Sequence, residues 1–432
     1  MPRASNLHEL STDLDDTGLT PETAVALYIA LLFKNTTNHS IMAPPAILSN
    51  GALATATATF TTDTLKVPSF QKAASAPSTS RMGNVVPFTV VEGPEAWTAA
   101  DYANQDDYIY QFSPSDLAEL EAAVAAALQQ GRDLKDLTKE DFPLPTLGPK
   151  LVAFREEVRT GRGFQLFRGL PVWKYSREQT MAAYWAIGTY WGKTQSNNKK
   201  GHLIGHIKDI GFDPSQPTTR LYATHAAQPW HNDSSDQVAL LCLSNAKEGG
   251  LSGWSSSISV HNEIVRRRPD LARVLAGPWF MDRKGEVPEG KKGYFELPVF
   301  NYHQGYLSVN YSDNYYLLSQ RFEEVPRLTP AHYEAMALFN ELAASRELRL
   351  EMILQPGDIQ LLNNHTCLHY RSAFVDYPEM NKKRHLLRLW VAPPVERPLP
   401  ECYAELYGST KVGDRGGIRV KGYDLKIPFE AE

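Results

Sequence analysis

Leu117, Leu120, Val124 and Leu128 recur at helical spacing behind Ser113-Pro114-Ser115-Asp116, and Gly131 ends the run. A serine cap, a proline in the first turn and a closing glycine predict a helix there. A second helix is predicted over 176–191, where Ser176 caps and Gln179 follows three residues on. Helices are also expected near 259–276 and over 329–343, the latter opened by Thr329 and Pro330. The segment "GFQLFRGLP" (163–171) looks like a buried strand ending in a turn. Beyond residue 200 short strands dominate: 237–243, 252–257, 279–282, 295–303, 306–311, 349–355, 358–363 and 385–392. Pro356-Gly357-Asp358 is a turn signal between two of them. The pattern implies a mainly β fold with flanking helices (α+β), built as a sandwich or barrel. Residues 1–82 lack this punctuation and are rich in Thr, Ser, Ala and Pro. They are expected to form a weakly ordered extension with one short helix near 20–34, and 83–432 to form the functional domain.

Composition narrows the function by exclusion. A net charge of −5 gives no general affinity for nucleic acid or anionic membrane. The three cysteines form no C-x-x-C pair, so a disulfide framework or structural zinc is not expected and a reducing compartment fits. The apolar run Ala24–Phe33 is about half of what a membrane span needs, and it follows Asp13, Asp15 and Asp16 rather than a basic start. The expectation is a cytoplasmic protein acting on a small molecule, with homo-oligomerisation left open. No glycine-rich phosphate loop supports nucleotide chemistry.

Candidate chemistry concentrates in "QPWHNDSSDQVALLCL" (228–243). The chain holds three His-x-Asp/Glu pairs. His261/Glu263 and His332/Glu334 lie in helical patterns, where residues two apart face different directions. His231 and Asp233 stand at the entrance to a strand, where alternate side chains share a face and Asn232 points away. A third ligand is sought in "LLNNHTCLHYRSAF" (361–374), which offers His365 and His369. Two histidines and a carboxylate on one side of an ion form the facial triad of non-haem Fe(II) oxygenases. In "NKKRHLLRLW" (381–390), Arg384 and Arg388 fall on one face of a predicted strand and are suited to anionic groups.

Four segments in order, "GRGFQLFRGLP" (161–171), "WHND" (230–233), "EGGLSGWSS" (248–256) and "NNHTCLHYRSAF" with "RHLLRLW", make the chain resemble the taurine dioxygenase (TauD/TfdA-like) family, including clavaminate synthase-like enzymes. The resemblance covers roughly residues 83–400. It implies a double-stranded β-helix (jelly-roll) core and an oxygenase that needs Fe(II), 2-oxoglutarate and dioxygen. It implies His231, Asp233 and His369, rather than His365, as metal ligands. Arg384 matches the clamp on the far carboxylate of 2-oxoglutarate, and Ser252 matches the hydroxyl residue beside it, where threonine is commoner. Arg388 matches a position that contacts substrate in some members, or is paired inside the barrel. Arg371 is expected to be structural, and His225 to stand near the pocket mouth. Asn198 and Tyr222, in the variable loop 193–229, are expected near the substrate, and 283–316 is a second such loop. An intact Asp233 implies hydroxylation, desaturation or cyclisation rather than halogenation, with release of succinate and CO2. The substrate is expected to be small and anionic or amino-acid-like.

Three rivals share these residues. A non-catalytic β-helix binding protein has no need of a triad plus Arg384. A zinc hydrolase with the same ligands needs a general base and no second carboxylate clamp. A protein or histone hydroxylase or demethylase is disfavoured by the lack of a basic face.

Overall fold

The computed structural model describes residues 78–432. The helix expected near 20–34 and most of the 1–82 extension lie outside the described residues. Near the start of the described chain, Thr79–Arg81 pairs in parallel with Val90–Glu92.

Two sheets form the centre. The larger contains β1 (Ile109–Gln111), β2 (Phe164–Arg168), β3 (Lys193–Gln195), β4 (Ile204–Lys208), β6 (Gln237–Ser244), β11 (Ile359–Asn363) and β13 (His385–Ala392). The smaller contains β5 (Gln228–His231), β7 (Ser252–Ser256), β10 (Arg349–Met352) and β12 (Cys367–Arg371). The larger runs β1-β2-β11-β6-β13-β3, with β4 also pairing β13, and only β1 and β2 are parallel. The smaller is antiparallel in the order β10-β7-β12-β5.

Alternation along the strands builds two cores. On β13, Leu387, Leu389 and Val391 join Ala239, Leu241, Ile359 and Leu361 beneath a helical layer. That layer is α1 (Pro114–Leu128), α2 (Leu147–Thr160) and α3 (Arg177–Trp191). Their neighbours Leu386 and Trp390 face the other way, packing with Val238, Leu240 and Leu362 against Trp254, Met352 and Cys367 of the smaller sheet. A strand buried on both faces reads as a continuous apolar run, which is how β6 and β13 appear in the sequence. Between β7 and β10 the chain forms α4 (Ser257–Arg267), α5 (Pro269–Leu275), a hairpin of β8 (Phe280–Asp282) and β9 (Tyr294–Glu296), α6 (Asp313–Ser319) and α7 (Pro330–Ala343).

The mixed sheets and flanking helices agree with an α+β reading. The capped starts hold: Ser113 accepts from Asp116 N–H, and Ser176 from Gln179 N–H, each at 3.1 Å. The single helix expected over 259–276 is two helices, because Pro269 has no N–H to continue the first. The expected strand 295–303 is likewise two, Tyr294–Glu296 and Phe300–His303, on either side of Pro298. Among the described residues, no helix is long and apolar enough to cross a membrane.

Candidate metal centre and its two cavities

His231 ends β5 and His369 lies directly opposite it on β12, so antiparallel register places the two imidazoles side by side. Their ring centroids are 4.1 Å apart. Asp233, just past β5, turns its carboxylate toward both: Nε2 of His231 is 3.8 Å from Oδ1, and Nε2 of His369 is 3.7 Å from Oδ2. These gaps are too long for hydrogen bonds. One donor atom from each residue lies within 4.8 Å of the others. The 3.7 and 3.8 Å gaps suit an ion at about 2.1 Å from each atom.

The surroundings hold this donor set. The Nδ1 of His231 is 2.8 Å from the Pro229 carbonyl, a contact that places its proton there and leaves the Nε2 lone pair inward, where it accepts from Gln228 Nε2 at 2.8 Å. Burial lowers the pKa of His231 and pushes that of His369 down to about 3, with the neighbouring His231 adding to the effect. Both imidazoles are therefore neutral, as ligands must be. Burial acts to raise the pKa of Asp233. Arg388 and the two imidazoles, with the Trp390 indole, more than offset it and hold the carboxyl well below the usual range. Trp390 Nε1 donates to Asp233 Oδ2 at 2.9 Å, and Arg388 Nη1 stands 3.3 Å from both oxygens. Asn232 faces away, donating to the carbonyls of Asn364 and Cys367 at 2.8 Å. It ties β5 to the turn before β12.

An inner cavity of about 420 Å³, partly open to solvent, lies on one side of the triad and is lined by Ser252, Arg371, Arg384 and Arg388 among others. Arg384 is 4% exposed, and its buried Nη1 has no hydrogen-bond partner in the protein. Burial pushes its pKa down to about 10. Gly250 leaves room for it: a Cβ there would lie 2.8 Å from Arg384 Nε, and φ is +73°. Arg371 shares the cavity. It donates to the carbonyls of Thr224 and Ala226, while its Nε and Nη1 find no partner.

An outer cavity of about 880 Å³, also partly open to solvent, meets the same His231 and Asp233 and is lined by Arg220, Tyr222, Lys284, Glu286 and Tyr315. The expected site residues therefore divide. His231, Asp233, His369, Ser252, Arg384 and Arg388 gather around the inner cavity, and Tyr222 lines the outer one. Asn198 lines neither. Its side chain meets Lys200 N–H at 2.9 Å and His202 Nδ1 at 3.1 Å. His225 is exposed and pairs with Asp209 at 3.3 Å. His365 turns to Asp236, 2.8 Å away. His261 and His332 lie in α4 and at the start of α7, away from the triad. Sequence reasoning missed Trp390 and the Arg220–Lys284 wall. Trp390 was findable, since it falls two residues after Arg388 on the same strand face. The wall carried no local signal.

The model of the family described as "Taurine catabolism dioxygenase TauD, TfdA family" matches residues 130–390. FR-33289 synthase of Streptomyces rubellomurinus is 30% identical over 310 residues, covering 70% of this chain and 90% of that protein. The taurine hydroxylase-like protein SAT17 of Stachybotrys chartarum is 31% identical over 304 residues, covering 68% of this chain and 77% of that protein. Among solved structures, an asparagine oxygenase in complex with Fe(II), 2S,3S-3-hydroxyasparagine and succinate superposes with a TM-score of 0.52 at 16% identity. It spans 66% of this chain and 93% of its own, and the likeness is one of fold.

Proposed function

This chain belongs to the TauD/TfdA family of dioxygenases, oxidoreductases that work with Fe(II) and 2-oxoglutarate, and on that premise we propose that His231, Asp233 and His369 hold the iron while Arg384 and Ser252 hold the far carboxylate of 2-oxoglutarate. Three donor atoms of suitable chemistry stand together without bonding one another, and a buried guanidinium with an unpartnered nitrogen shares their cavity. That conjunction supports the assignment. The two facing antiparallel sheets support a double-stranded β-helix core. We place the dioxygenase domain at 83–432 and treat 1–82 as an extension to it.

Bound iron and 2-oxoglutarate would supply the oxidising power, with dioxygen consumed and succinate and CO2 released. The chain's own part is positioning. Pro229 fixes the His231 ring, and Trp390 and Arg388 fix the Asp233 carboxylate. Arg384 orients the cosubstrate by a charge-assisted contact. Arg384 and Ser252 line the inner cavity, which gives that side to the cosubstrate and leaves the larger outer cavity for the substrate. The substrate is a small anionic or amino-acid-like molecule oxidised at an unactivated C–H. Hydroxylation is favoured because SAT17 is named a taurine hydroxylase-like protein.

Anaerobic addition of Fe(II) and then 2-oxoglutarate to the metal-free protein tests this. The weak visible absorption of the iron–cosubstrate chelate is expected in the wild type. His369→Ala should lose it, and Arg384→Ala should need far more 2-oxoglutarate. No absorption at saturating iron and cosubstrate overturns the reading.

A further inference from the structure

The charges around the outer cavity are matched with one exception. Arg220 is joined to Glu286, and Arg283 donates to Glu405 at 2.7 Å. Asp282 receives Arg321 at 2.6 Å. Arg388, the residue first suited to an anion, is engaged by Asp233 and by Asn197 Oδ1 at 2.7 Å. Among the described cations lining this cavity, Lys284 alone has no carboxylate within ion-pair distance. Its Nζ has the Thr219 carbonyl at 3.3 Å and stands 5.1 Å from the Tyr315 ring centroid. It is 4% exposed.

Its backbone makes a lysine there more unusual. Lys284 sits in the β8–β9 hairpin at φ +50°, followed by Gly285 at +76°. Asp282 Oδ1 holds that turn by accepting the Lys284 N–H at 2.5 Å. Glycine adopts this conformation without a Cβ penalty and would bury no ammonium. A lysine in this turn is disfavoured twice, by its φ and by burying a charge without a counter-charge. Arg220 and Arg321 add repulsion, which Asp282 and Glu286 partly offset. An incoming oxyanion would relieve both electrostatic costs, the missing counter-charge and the repulsion.

We propose that Lys284 is the anion-binding residue of the outer cavity and that the substrate presents an oxyanion, a planar carboxylate or a tetrahedral group, to its ammonium. This rests on the proposed function, since it takes the outer cavity as the substrate's side of the iron. It moves recognition of the anion from Arg388 to a hairpin turn.

Anaerobic enzyme carrying Fe(II) and saturated with 2-oxoglutarate is titrated by calorimetry with acetate and with methylphosphonate. Excess 2-oxoglutarate keeps both from Arg384, and the two probes separate planar from tetrahedral recognition. Wild type is expected to bind at least one. Lys284→Gly, which suits the backbone, should weaken that binding about tenfold or more. Lys284→Arg restores the charge and should recover most of it, and the iron–cosubstrate absorption should be unchanged in all three. Equal affinity in wild type and Lys284→Gly, or no binding of either probe by wild type, overturns the proposal. A missing absorption band overturns the iron assignment instead, and the same titrations on metal-free protein then decide Lys284 alone.

Discussion

The same two stretches of chain, 231–236 and 363–369, build two carboxylate–imidazole clusters with opposite characters. In one, Asp233 stands 3.8 Å from the Nε2 of His231 and 3.7 Å from that of His369. In the other, His365 Nε2 meets Asp236 Oδ1 at 2.8 Å, and Arg415 grips the same carboxylate at 2.8–3.0 Å. Both are buried. The second is closed, each charge satisfied by a partner within the protein. In the first, the carboxylate and the two imidazoles face one another without bonding, and Gln228 Nε2 meets His231 Nε2 at 2.8 Å. Composition does not separate the proposed metal site from a structural ion pair here. The spacing between the carboxylate and the imidazoles does.

Breaking the closed cluster should have the largest effect. Asp236→Ala strands Arg415 without its carboxylate, and loss of one partner of a buried pair costs about 3–5 kcal/mol. Denaturant unfolding should show that loss, and a variant as stable as wild type would mean the cluster is dispensable. Next comes the open cluster. His369→Ala should lower Fe(II) affinity by more than about 100-fold, beyond what outer-shell changes cause, with little change in unfolding. Equilibrium dialysis of His369→Ala beside His365→Ala separates the clusters, since the second should keep its iron. Trp390→Phe tests the coupling between the sheet and the open cluster. It removes the indole N–H from Asp233 and should weaken metal binding about tenfold. The gentlest test is pH. Burial pushes His365 down to about 4 although Asp236 favours its charged form. The unfolded chain then holds more protons than the folded one below the ordinary value of 6.5. Stability should fall as pH drops from 6.5 toward 4, by about 1.4 kcal/mol per unit for one such group. His365→Asn should flatten that slope, and an unchanged slope would place the effect elsewhere.

Periodicity and turn chemistry made much of this legible. Strands 237–244, 359–363 and 385–392 are long or strongly apolar, and the reading placed each within a residue or so. His231 and Asp233 stood out because only they, of three such pairs, lay outside a helical pattern. Strands Lys193–Gln195 and Gln228–His231 are short and polar, with too little alternation to register. The helix Leu147–Thr160 has no counterpart in the sequence reading; Gly148 and Pro149 in its first turn are poor helix signals, although proline is tolerated there. The choice between His365 and His369 needed the family pattern, because partners such as Arg415 come from distant chain. Lys284 lay in a stretch marked as a substrate loop, but its missing counter-ion appears only when Arg220, Asp282 and Glu286 are seen around it.

Gly250 carries no chemistry, yet Arg384 occupies the space a side chain there would need. In a library of all single variants selected for activity, position 250 should come back as glycine alone. Its casualties would look like cosubstrate mutants, with iron retained and the 2-oxoglutarate requirement raised. The heritable weak point of such an enzyme then extends beyond its ligands to a loop atom that must stay absent.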